Sequence, residues 1–193
     1  MALPHSQYQK QIDTVLTEEI LTGIRQRAAG YDERNEFPYK DLEVLRDTGY
    51  LAALSAEKDG GLGWNFAAVV DAQKKLAAYA PATALAVNMH LIWSGVASIF
   101  QANGNPDLDF ILQEAGAGET YAFGISEAGN DAVLFDSGTV AEEQADGSVK
   151  FTGTKIFTTL SPVWTRLGIF GKSPDGAELI YAVLDRSEGN TES

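Results

Sequence analysis

A chain of 193 residues has room for one large domain or two small ones, and 45% hydrophobic with 21% charged residues is the make-up of an ordinary globular protein. Its net charge of −13 argues against free nucleic acid as a partner, because phosphate binding needs clustered Lys and Arg. The absence of cysteine excludes disulfides, thiolate metal sites and a Cys nucleophile, and two histidines, His5 and His90, leave little material for a zinc site, so no metal is expected.

The N-terminus lacks a basic flank followed by an apolar core, so it does not read as a secretory signal and a cytoplasmic location is expected. A short helix is predicted over 7–16. Thr17, followed by Glu18 and Glu19, reads as the N-cap of a second helix with acids at its positive end. Ile20, Ile24 and Ala28 fall on one face of it at helical spacing. Pro38 suits the first position of a third helix, Leu42 and Leu45 supply its apolar face, and Gly49 stops it. Gly60-Gly61-Leu62-Gly63 marks a tight irregular loop with positive φ angles, but not a phosphate loop, since no Lys-Ser or Lys-Thr follows. Asn65 caps the next helix, with Phe66, Val69, Gln73 and Leu76 on one face.

Residues 80–106 contain no Asp, Glu, Lys or Arg and are long enough to span a bilayer. Thr83, Asn88, His90, Ser94 and Ser98 are spread through them, and Pro81 and Gly95 interrupt them. A helix buried in a soluble core is therefore predicted, with no membrane partner. His90 in this helix reads first as a core histidine satisfied by a backbone partner. Leu108, Ile111 and Leu112 make a last short helix.

From Glu119 the hydrophobic period changes. Residues 120–125 read as a buried strand and 126–131 as a polar, Gly-bearing turn. A strand ending in such a loop offers backbone N–H groups and a hydroxyl to a polar ligand. Asp146-Gly147 signals a hairpin. A strand is predicted over 149–159, with Gly153 as a bulge or a close approach, and two more over 164–170 and 179–184. Helices first and strands after imply an α+β chain, with domains expected at 1–118 and 119–193.

Four separated motifs then line up in order. They are Tyr31-Asp32-Glu33-Arg34 with Phe37-Pro38; Gly49-Tyr50 with Gly60-Gly61-Leu62-Gly63; Phe123 to Asp131; and Gly153-Thr154-Lys155-Ile156-Phe157-Thr158-Thr159. Together, over nearly all of 17–186, they resemble the acyl-CoA dehydrogenase family. The resemblance implies an all-α N-terminal domain followed by a partial β-barrel-like middle domain that holds FAD. In that domain Ser126 takes the place of the threonine that hydrogen-bonds the flavin ring. The backbone around Phe123 and Ile125 sits near the pyrimidine edge. Asn130 holds the usual serine position in a shortened loop, Phe157 covers the ring, and Thr159 stands near its reactive nitrogen, the two hydroxyls coming from neighbouring strands. Leu160 replaces the asparagine that usually follows.

The activity implied is α,β-dehydrogenation of an acyl-CoA thioester in fatty acid metabolism, with electron transfer flavoprotein as the next carrier and a homo-oligomer as the full-length state. The family's glutamate base lies in a C-terminal domain, expected beyond Ser193, so the 193 residues read as incomplete and inactive alone. Without that domain, the face carried by Val87 and Leu91 is expected to be exposed. An alternative of the same fold is a flavin-dependent monooxygenase using reduced FMN and O2, with His90 as candidate base. A further alternative is a non-catalytic truncated module.

Overall fold

The computed structural model describes residues 5–132 and 134–187, with side chains from residue 8 onward. The backbone divides into two compact units, Met1–Glu119 and Thr120–Ser193. The first is helical: α1 (His5–Val15), α2 (Glu18–Arg34), α3 (Tyr39–Asp47), α4 (Phe66–Tyr79), α5 (Pro81–Ala102) and α6 (Asp109–Gly116), with 3-10 turns at Tyr50–Ala52 and Glu57–Asp59. The second is a sheet of β1 (Tyr121–Gly124), β2 (Val140–Glu143), β3 (Val149–Thr152), β4 (Arg166–Lys172) and β5 (Leu179–Asp185).

The caps follow local chemistry. The Thr17 hydroxyl accepts from the Ile20 amide at 3.3 Å, and the Asn65 side chain accepts from the Ala68 amide at 2.9 Å, each satisfying an orphan donor of a first turn. Pro38 sits one residue earlier than expected, as the N-cap of α3, while Pro81 occupies the first turn of α5. In α2 the core takes Leu21 and Ile24, and Ile20 is only half-buried. α5 is long and apolar enough to cross a membrane by length and composition, yet half of its most apolar window is buried within the fold. Val87 and Leu91, expected on an exposed face, are buried. The exposed large apolar residues of α5 are Leu85, Val96, Ile99 and Phe100, one helical face away, because α3, α4 and α6 cover the other side.

Residues 49–64 are held by polar links that no hydrophobic period signals. The Ser55 hydroxyl donates to the Leu112 carbonyl at 2.6 Å, and His90 Nε2 donates to the Leu51 carbonyl at 2.8 Å. A second buried link centres on Asp41, which is fully buried in the first turn of α3. It accepts from Arg27 Nε at 2.6 Å and from the Thr83 hydroxyl at 2.8 Å, joining α2, α3 and α5.

In the second unit β4 is the organiser. β5 pairs antiparallel along its whole length, from Arg166↔Asp185 to Lys172↔Leu179, and so occupies one edge. On the other edge β1 runs parallel to residues 166–169, and β2 meets β4 at a single parallel bridge, Val140↔Lys172. The chain leaves that edge at the end of β1, loops through 125–139, and returns to it as β2. β2 then turns at Asp146-Gly147 into β3, pairing Val140↔Thr152 through Glu143↔Val149.

Candidate functional site

The 125–139 loop fills the gap between β1 and β2, and a carboxylate sits at its centre. Glu127 Oε1 accepts from the Ser137 hydroxyl at 2.8 Å, the Thr139 amide at 3.0 Å, the Thr139 hydroxyl at 2.6 Å and Lys155 Nζ at 2.7 Å. Its Oε2 accepts from the Gly138 amide at 2.6 Å and from the Asn130 side chain at 3.2 Å. The two partners of the ion pair are 7% and 8% exposed at the side chain. Burial pushes the Glu127 carboxyl up, but the combined pull of Lys155, Thr139, Gly138 and Ser137 outweighs it and holds the group well below the usual carboxylate range. Lys155 also reaches the Ile125 carbonyl at 3.4 Å and lies 4.4 Å from the Phe170 ring centre, and Phe170 stacks on Tyr181. Sequence reasoning missed this network. Ser137 and Thr139 lie in a stretch with no periodicity, and the only signal was a glutamate and a lysine of opposite charge.

Beside this network the 153–160 segment crosses the loop. The Ile156 amide donates to the Ser126 carbonyl at 2.8 Å. The strand expected over 149–159 ends at Thr152, so Ser126 and Thr159 stand on irregular segments and not on neighbouring strands. The reason is visible at Gly153, where a Cβ would overlap the Thr139 hydroxyl: the close approach expected there turns the chain out of the ladder. Phe157 and Leu160 then adopt left-handed backbone at φ 56° and 72°, which L-residues adopt only when their surroundings dictate it. Leu160 is buried, whereas Phe157 is 85% exposed.

The expected site residues divide by their commitments. Ser126 is half-buried, and among the described residues neither its hydroxyl nor its amide has a protein partner. The Thr159 hydroxyl, also half-buried, has none either. Phe123 lies in β1, opposite Gly168, and Ile125 is buried just past the strand. Asn130 turns inward: its amide donates to Glu127 and, at 2.7 Å, to the Asp136 carbonyl, while its oxygen accepts from the Ala132 amide at 3.0 Å. His90 belongs to the helical unit, fully buried, where burial above all lowers its pKa to about 4, opposed by the bond to Leu51 and aided by the charge of Arg46. Among the described residues no cluster of His, Asp or Glu suits a metal ion.

The arrangement suits a planar ligand with polar edges. An exposed aromatic ring supplies a face, and the uncommitted hydroxyls of Ser126 and Thr159 with the Ser126 amide supply donors. The helical unit has a concavity of its own, a groove of about 480 Å³ between α4 and α5 whose lining, including Phe66, Val70, Ala77, Leu85 and Ile92, is mostly apolar. At its polar end Gln73 accepts from the Tyr50 hydroxyl at 2.8 Å and donates to Asn88 at 3.2 Å.

Comparison with known proteins relates the chain to a family. The family model described as "Acyl-CoA dehydrogenase, N-terminal domain" matches residues 5–119. YdbM of Bacillus subtilis (strain 168), provisionally named an acyl-CoA dehydrogenase, is 28% identical over 152 residues, which is 72% of this chain and 36% of that protein. Among solved structures, KijD3 in complex with dTDP superposes with a TM-score of 0.78 at 24% identity, over 95% of this chain and 47% of that one. FMN-bound TdsC from Paenibacillus sp. A11-2, a dibenzothiophene monooxygenase, gives 0.73 at 21% identity, over 91% and 44%. A nitrososynthase from Micromonospora carbonacea var. africana gives 0.75 at 22%, over 96% and 48%. At these identities the solved structures establish the fold, and the chain spans about a third of the curated relative and about half of each solved chain. The match over residues 5–119 covers most of the chain, so the chain belongs to the acyl-CoA dehydrogenase family.

Proposed function

We propose that this chain is the helical and flavin-contacting part of a flavin-dependent oxidoreductase that dehydrogenates an acyl-CoA thioester between its α and β carbons. The observation that carries the reading is the pairing of Phe157, 85% exposed on left-handed backbone, with Ser126, whose carbonyl is tied to Ile156 while its hydroxyl and amide have no protein partner among the described residues. In this reading Ser126 and the backbone at Phe123 and Ile125 hold the polar edge of FAD, Thr159 adds a second hydroxyl, and Phe157 covers one face. Asn130 shapes the loop. A bound flavin supplies acceptance of a hydride. Residues 1–118 then act as the helical domain and 119–193 as part of the middle domain. The apolar lining of the α4–α5 groove is compatible with an acyl chain.

The loop carboxylate is unsuited to be the base. Glu127 already accepts from five partner residues, and its depressed pKa makes it a poor proton acceptor. The base in this reading is therefore a group other than Glu127, and contacts with electron transfer flavoprotein and between copies of a cytoplasmic homo-oligomer are expected of the full-length protein. A second reading, a monooxygenase using reduced FMN and O2, is favoured by the fold shared with FMN-bound TdsC. The commitment of His90 to the Leu51 carbonyl supports a packing role for it in either reading.

Titration of the 193-residue chain with FAD and with FMN tests the shared part of both readings. Saturable quenching of flavin fluorescence is expected, weakened about tenfold in Ser126→Ala for the loss of about one hydrogen bond. Absence of quenching up to millimolar flavin would overturn both. An acyl-CoA panel under anaerobic conditions, set against NADH-coupled O2 consumption, separates dehydrogenase from monooxygenase in the full-length protein.

A further inference from the structure

We propose that the buried Lys155–Glu127 ion pair is a positioning device that locks the two segments carrying Ser126 and Phe157 into a ligand-ready geometry before any ligand binds. The identity of the ligand rests on the flavin reading above; the locking is a property of the chain itself.

Burying a carboxylate and an ammonium is expensive, and apolar side chains of similar volume hold elements together at least as well. What the charged pair adds is direction. Lys155 Nζ grips the chain on both sides of Ser126, at the Ile125 carbonyl (3.4 Å) and at the Glu127 carboxylate (2.7 Å). One residue further on, the Ile156 amide takes the Ser126 carbonyl at 2.8 Å. Residues 125–127 are thus each tied to 155 or 156, and the groups of Ser126 left over are its hydroxyl and amide. The other end of the loop is held by the same carboxylate, which takes Ser137, Gly138 and Thr139 as they return to the sheet. The next residue after Ile156 is Phe157, whose left-handed backbone sets the direction of an exposed ring. A mobile loop would lose affinity by having to be ordered on binding; a lock of this kind removes that cost.

The variant Lys155→Met, made in the 193-residue chain, leaves every bond from the returning arm to Glu127 available, and amide hydrogen exchange reads the result. The Ile156 and Thr139 amides are expected to exchange at least tenfold faster, with β4 and β5 protected as before. Lys155→Arg, which keeps the charge, is expected to retain slow exchange. Unchanged exchange at Ile156, or loss of protection spread equally through β4 and β5, would overturn the proposal. Should Lys155→Met fail to fold, Ser137→Ala removes one donor to the carboxylate and one partner of the ammonium, and is expected to quicken exchange at the same amides about threefold; no change there would also overturn it.

A double-mutant cycle supplies the readout that general structural support would not move. Ser126→Ala is expected to weaken FAD or FMN binding about tenfold in the native chain and less than twofold in the Lys155→Met background. Equal losses in both backgrounds would overturn the positioning role. If the native chain binds neither flavin, the flavin reading fails while the exchange measurement still decides the lock.

Discussion

Asp41 and His90 are both fully buried in the helical unit, and each answers the cost of burial differently. Asp41 stays paired with Arg27 and accepts from Thr83, so Thr83→Val removes a hydrogen bond to a buried carboxylate while keeping the shape. A loss of about 2 kcal/mol in urea unfolding is expected, and a loss below about 0.5 kcal/mol would show that Arg27 alone satisfies the carboxylate. His90 stays neutral. Its pKa is depressed to about 4 in the folded chain against about 6.5 when unfolded, so between these values the unfolded state binds the extra proton. The stability His90 contributes is thus present above pH 6.5 and is lost as pH falls toward 4, by roughly 3 kcal/mol. His90→Gln should flatten stability across that window. Glu127 acts lower, its contribution being lost below its ordinary range near 4.5, which keeps the two effects separable at pH 5 to 6.5. The backbone partner of His90 was legible in the sequence, because an isolated histidine in an uncharged helix has few other ways to be satisfied. The pairing of Asp41 was not, since Arg27 and Thr83 lie on two other helices.

At the scale of elements, the glycine motif of residues 60–63 proves to be a packing joint. Gly60 at φ +86° and Gly63 at φ +63° turn the chain, while Gly61 and Gly116 are glycine for want of space. A Cβ on Gly116 would overlap the Asp59 carbonyl, and one on Gly61 would overlap that of Ser55. Both obstacles are backbone and cannot rotate away. Gly116→Ala is accordingly expected to cost about 3 kcal/mol. Gly104→Ala, where nothing lies within 4 Å, is expected to cost about 1 kcal/mol for its left-handed backbone alone. Thermal unfolding of the two variants side by side checks this; equal shifts would deny the joint. The positive φ angles could be read from the sequence. The contact partner at Gly116 could not, because nothing local records that α6 ends against the 57–59 turn.

For the molecule as a whole, a net charge of −13 opposes association while the exposed side of α5 favours it. Leu85 is 60% exposed and Ile99 52%, with Val96 and Phe100 beside them. Self-association of the 193-residue chain is expected to strengthen with salt, as screening removes the charge repulsion. The double variant Leu85→Glu/Ile99→Glu should sediment as a monomer at concentrations where the native chain does not. Sedimentation unchanged by the double variant would exclude this face as the contact.

Local chemistry was enough to determine the order of elements, the caps at Thr17 and Asn65, the hairpin at Asp146-Gly147 and the passage from helices to strands between Gly116 and Tyr121. Each of these depends on residues within a turn or two of one another, so the sequence carries them directly. Ordered motifs likewise pointed to the family and to the loops of the candidate site. Only the tertiary structure decided which apolar face of α5 is covered, that the strand expected over 149–159 stops at Thr152, and that Glu127 and Lys155 pair between β1 and β2. Those outcomes depend on groups far apart in the chain meeting in a shared volume. There, the desolvation of each charge is settled by partners that no local pattern specifies.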